Sequence, residues 1–76
     1  MNRVRYIVRV HSEETIRIVE CGNTLNCARK RCKIINTKAY ATDPFFVKTT
    51  IYDRSVSRDI FRYDAYTEAF IKVERK

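Results

Sequence analysis

From Arg3 to Val10 the chain alternates without a break. Val4, Tyr6, Val8 and Val10 fall on one side, and Arg3, Arg5, Ile7 and Arg9 on the other. A period of two in β-branched residues marks a strand with one buried face. After the polar, turn-like His11-Ser12-Glu13-Glu14, the same period resumes from Thr15 to Cys21. A β-hairpin is the economical reading, with Ile16 and Ile18 joining Val4, Tyr6 and Val8. No two-residue Asn-Gly turn pins its register.

The period then changes. Gly22-Asn23-Thr24 breaks the strand and offers Asn23 as a helix N-cap. Leu25, Ala28, Cys32 and Ile35 follow at i, i+3, i+7 and i+10, the stripe of an amphipathic helix. Asn36-Thr37 is the expected end, which puts basic residues in the last turns, where the helix dipole favours them. Asp43-Pro44 opens a third strand, in which Phe45, Val47, Thr49 and Ile51 alternate with Phe46, Lys48, Thr50 and Tyr52. Asp53 to Ser57 reads as a turn and Ile60 to Tyr63 as a fourth strand. Residues 64–74 fit two patterns. Ala65, Thr67, Ala69, Ile71 and Val73 suit a strand. Tyr66, Ala69, Phe70 and Val73, with Asp64 as a cap and Glu68 four residues before Lys72, suit a helix slightly better. The expected fold is α+β: a small antiparallel sheet of about four strands (ββαββ), one central amphipathic helix packed on one face, and a C-terminal helix or strand.

A chain of 76 residues is one domain, residues 1–76, near the lower limit for an unaided hydrophobic core, so a homodimer or an obligate partner is a reasonable expectation. With 45% hydrophobic residues, one Gly and one Pro, it is too apolar and too regular to be disordered. Its apolar runs are far short of the roughly 20 residues that span a bilayer. The N-terminus enters the alternation directly, so no signal peptide is expected. Three cysteines do not suit an intramolecular disulfide framework, and a reducing, cytoplasmic setting follows.

Charge is uneven. Residues 1–38 carry nine basic and three acidic groups, whereas residues 39–76 carry seven and six. Within the window from Cys21 to Thr42 there are five Lys or Arg and no acid. A helix advancing about 100° per residue centres Lys30 opposite the apolar stripe, with Asn26 and Lys33 beside it and Arg29 and Arg31 on the flanks. An acid-free basic face suits phosphate contact by Arg29, Lys30, Arg31 and Lys33; a face that serves solubility alone usually mixes both signs. Arg3, Arg5, Arg9 and Arg17 form a second basic surface on the hairpin. It would point away from the helix, so the two are competing candidates rather than one patch. Tyr40, Tyr52, Tyr63 and Tyr66 interleave with Lys48, Arg54, Arg58 and Arg62 as in single-strand binders, but so small a core needs most large rings, with Tyr52 the expected exception.

Cys27 and Cys32 have a spacing that a zinc site tolerates, yet on a helix they lie about 140° apart and cannot grip one ion. Cys32 reads as buried packing, and Cys27, with Ile34, as a small exposed strip. His11, beside Glu13 and Glu14, has no nucleophile paired with it, and Gly22 alone cannot form a glycine-rich phosphate loop. Asp53, Asp59 and Asp64 match no calcium loop. No enzyme activity, cofactor or metal is expected. An anionic membrane is a poor partner for a helix face without Trp, Phe or Leu. The expected function is non-enzymatic nucleic-acid binding through phosphates, with little sequence selectivity. The alternative is a small inhibitor or accessory module that docks on an acidic or nucleic-acid-processing partner protein.

Overall fold

The computed structural model describes residues 4–73. An antiparallel sheet of five strands carries one helix on one face, in the order β1 (Tyr6–Ser12), β2 (Ile16–Gly22), α1 (Leu25–Thr42), β3 (Phe46–Asp53), β4 (Arg58–Asp64) and β5 (Ala69–Lys72). Across the sheet the strands run β2-β1-β3-β4-β5. Both β2 and β3 are antiparallel to β1, hence parallel to each other, and α1 bridges them over β1. The α+β class and central helix are as expected, with one strand more. No helix among the described residues is long and apolar enough to cross a membrane.

The core is one layer between α1 and the sheet. Tyr6, Val8, Ile51 and Tyr63 meet Ala28 and Cys32, and Leu25, Ile35, Phe61 and Phe70 pack around them. One buried polar chain crosses it: the Cys32 thiol donates to Thr49 Oγ1 (3.5 Å), whose hydroxyl donates to Asn36 Oδ1 (3.0 Å). Burial pushes the Cys32 thiol up to about 11, which keeps it protonated and inert.

Four sequence expectations are corrected, each for a local reason. In the first hairpin His11 pairs with Ile16 and Val10 with Arg17, so Arg17 and Val19 share the face of Val8 and Val10. Ile16 and Ile18 turn outward instead, 47% and 64% exposed. A single residue of loop length decides this, because a one-residue slip moves every side chain to the other face. The Ser12 hydroxyl closes that loop by donating to Thr15 O (3.0 Å) and accepting from Thr15 N (3.1 Å).

The helix is capped by Thr24, which accepts from Cys27 N at 3.3 Å, not by Asn23, whose Oδ1 accepts from Arg5 N at 2.9 Å. It also runs past Asn36-Thr37 to Thr42. Asn36 is buried with a partner in β3, and the hydroxyls of Thr37 and Thr42 donate to the carbonyls four residues back, so none of them competes with the helix. The stop comes at Asp43, just before Pro44. The basic residues therefore sit mid-helix, and none lies in the last turn.

Residues 64–73 form no helix. They complete a third hairpin, β4–β5, built like the β3–β4 hairpin before it. Asp53 Oδ1 accepts from Ser55 N (2.9 Å) and Oγ (2.8 Å), while Asp64 accepts from Tyr66 N (3.0 Å) and Thr67 Oγ1 (2.9 Å). Each four-residue loop ends on a residue at φ 53°, Ser57 and Glu68. The Asp64 that resembles a helix cap closes a turn with the same chemistry, a carboxylate accepting from an N–H two residues on.

Candidate nucleic-acid interface

Ala28, Cys32, Asn36 and Ala39 define the inner line of α1, and its outer face follows from helical rotation. Lys30, Arg31, Lys33 and Lys38 are exposed. Among the described residues none of the four takes part in an ion pair; the pairs present are Arg5–Asp53 and Arg9–Asp59, with His11 at 4.0 Å from Asp59. Arg29 differs from its neighbours. It leans toward β4 and β5, its guanidinium 5.1 Å from the Phe61 ring and 5.7 Å from the Phe70 ring, with Nε buried and unpartnered. It roofs that aromatic pair, whereas the other four cations stand open to solvent.

On the opposite flank α1 faces the edge strand β2. Arg17, Val19, Ile35 and Lys38 line a groove of about 420 Å³ between them. At the far end of β2, burial pushes the Cys21 thiol up, opposed by the Val8 backbone and then by the nearby Arg31. The register therefore moves Arg17 onto the helix side of the sheet. Lys30 and Lys33 stand on the outer side of α1, Arg31 and Lys38 on its β2 flank with the exposed Ile34 between, and Lys38 and Arg17 line the groove.

Among the described residues the second basic surface expected from the sequence loses Arg17 and keeps Arg5 and Arg9. Arg3 lies outside the described residues and Arg17 is on the other side. Arg5 makes a two-point contact with Asp53, Nε to Oδ1 at 3.1 Å and an Nη to Oδ2 at 3.2 Å, beside the β3–β4 turn. That contact holds the Asp53 carboxyl below its usual range. Arg9 is on the open face, 3.3 Å from Asp59 and over the Tyr52 ring at 5.3 Å. Each arginine thus has one carboxylate partner while remaining partly exposed.

The open face carries a cluster that the sequence does not advertise. His11 is in β1, not in a turn, and its Nε2 lies 2.9 Å from the Thr50 hydroxyl and 4.0 Å from Asp59. Thr50 and Asp59 are distant in sequence, and the cross-strand register alone brings them together. Both approach the same ring nitrogen, so the imidazole does not relay a proton from one to the other, as a hydroxyl–imidazole–carboxylate triad requires. Burial lowers the His11 pKa below 6.5, reinforced by Lys48 and Arg9 and opposed by Asp59. A depressed histidine stabilises the fold above its unfolded value, and that contribution is lost as pH falls through the folded one. Urea midpoints should therefore fall as pH drops from 7.5 to 5, and His11→Gln should flatten the decline. An unchanged slope in the variant would assign the pH dependence elsewhere.

Of the tyrosines, Tyr63 is in the core and Tyr52 half-buried beneath Arg9, whereas Tyr40 and Tyr66 stand out at 77% and 100% exposure. The expectation that rings other than Tyr52 serve the core fails for these two. Cys27 is exposed and Cys32 buried, on different sides of α1. Among the described residues no three His, Cys, Asp or Glu side chains gather as a metal site. Comparison with protein-family models, with curated proteins and with solved structures finds no match to this chain.

Proposed function

We propose that this protein binds nucleic acid through phosphates held on the crest of α1 and along the α1–β2 groove, with little sequence selectivity. One observation carries the reading: an 18-residue helix presents Lys30, Arg31, Lys33 and Lys38 to solvent without one acidic residue, and Arg17 extends the surface. Four acids are engaged within the fold. Asp43, Asp53 and Asp64 close turns, and Asp59 holds Arg9. Lys30 to Lys38 spans about 12 Å, over which a duplex presents roughly seven phosphate charges, enough to engage every cation on the surface. Such contacts fix position and carry no base information.

Titrating random-sequence DNA and RNA by fluorescence anisotropy tests the proposal. Binding at low salt should weaken along a straight line in log affinity against log salt. Absence of binding at low salt overturns it. The outcome would then favour a protein-docking module, for which the observation is the uncovered Ile16 and Ile18 beside Tyr52 on the open sheet face.

A further inference from the structure

We infer that the cleft between the second half of α1 and the β4–β5 turn is a stacking site for unpaired bases, so that the nucleic acid held by α1 is single-stranded. The inference rests on the phosphate-binding reading above and adds the class of strand.

Lys30, Lys33, Thr37 and Tyr40 fall at i, i+3, i+7 and i+10, so one stripe leads from the cationic crest to the Tyr40 ring. That ring stands edge-on to Phe46, centroids 6.1 Å apart at 75°, an arrangement that braces it through an edge contact and leaves it 77% exposed. Across the cleft, Tyr66 sits on a turn fixed by Asp64 and is fully exposed. Both rings line one cleft of about 220 Å³ together with Asn36, Phe46 and Tyr63, while the register turns the Lys48 and Arg62 side chains at its rim toward the open face of the sheet. Asp64 is the one acid there, and its two oxygens already accept from Tyr66 N and Thr67 Oγ1. The cleft is thus aromatic, and the stripe on α1 leads from it to the cations Lys33 and Lys30.

Two large rings left in water contribute little to a small core, in which every buried aromatic counts. Their placement suits a ligand that brings its own flat apolar faces and negative charge. Unpaired bases on a phosphate backbone do so, and any base can stack, which agrees with a surface lacking sequence readout. A duplex keeps its base faces inside the helix and offers these rings nothing.

The test compares a labelled 20-nucleotide oligothymidylate with a duplex of equal length on the wild-type chain, on Tyr40→Ala/Tyr66→Ala and on Tyr40→Phe/Tyr66→Phe. The wild type should prefer the single strand. The alanine pair should lose at least about tenfold of single-strand affinity with an unchanged salt slope and unchanged duplex binding, and the phenylalanine pair should keep that affinity. Both rings are exposed, so equal urea midpoints establish that the variants fold. If the wild type binds both nucleic acids alike and the alanine pair matches it, the stacking site is overturned while phosphate binding stands. If nothing binds at low salt, both readings fall. A loss equal for single strand and duplex also overturns the stacking site.

Discussion

Replacing Lys30, Arg31, Lys33 and Lys38 together with alanine should reduce the salt slope of nucleic-acid binding by about three to four and weaken affinity at low salt about a hundredfold or more. The slope follows from counterion release, roughly 0.7 to 0.9 per phosphate contact for single strands and duplexes respectively. The same substitutions should leave stability equal or raise it. Alanine is the best helix former, and the change removes like-charge crowding such as Arg29 with Lys33, four residues apart. Weaker binding from an equally or more stable protein is a pair of outcomes that a purely structural role for these residues cannot produce. Arg29 is left in place because its loss would uncover Phe61 and Phe70. The exposed Arg58 at the start of β4 serves as the control, and Arg58→Ala should leave the slope unchanged. A quadruple variant that keeps the wild-type slope would remove α1 from the interface.

The site was legible where one helix contains it and illegible where two strands must be aligned. The stripe Leu25, Ala28, Cys32 and Ile35 places Lys30 and Lys33 outward from rotation alone, and their exposure agrees. Arg17 could not be placed in this way. Its side depends on whether the first loop holds one residue more or fewer, and alternation in both strands is satisfied by either register. The same uncertainty hid His11, whose partners Thr50 and Asp59 arrive from strands later in the chain. The C-terminal hairpin stayed open between strand and helix for a different reason: Asp64 has the chemistry of a cap and of a turn alike. The closer comparison lay inside the sequence, because the loop after Asp53 uses the same carboxylate–amide closure as the loop after Asp64. Tyr40 and Tyr66 were assigned to the core on the ground that a small protein uses its rings there. That expectation fails where the rings gather at a cleft beside α1, and no local pattern in the sequence marks the cleft.

Ile51→Ala should cost about 3 kcal/mol or more, the largest stability effect expected from a single substitution here. Ile51 is fully buried in β3, opposite Val8 of β1 and Phe61 of β4, and packs in the cluster with Ala28 and Cys32. Truncation would leave a void between the sheet and α1, with little slack in so thin a layer to close it. Domains of this length have on the order of 4–11 kcal/mol in total, so the loss removes a large share of the stability. Ile18→Ala is the matched comparison. It is the same residue type in the same alternating pattern, yet it faces solvent on the open side of the sheet, and its removal should fall within about 0.5 kcal/mol. Urea unfolding separates the two, and a shift below about 1 kcal/mol for Ile51→Ala would mean that the core lies elsewhere. The consequence for binding is also distinct. Ile51→Ala should lower apparent affinity only through the unfolded fraction, leaving the salt slope as in the wild type, because the folded molecules still present the full set of helix cations. Loss of the fold and loss of the interface thus leave different signatures in one titration.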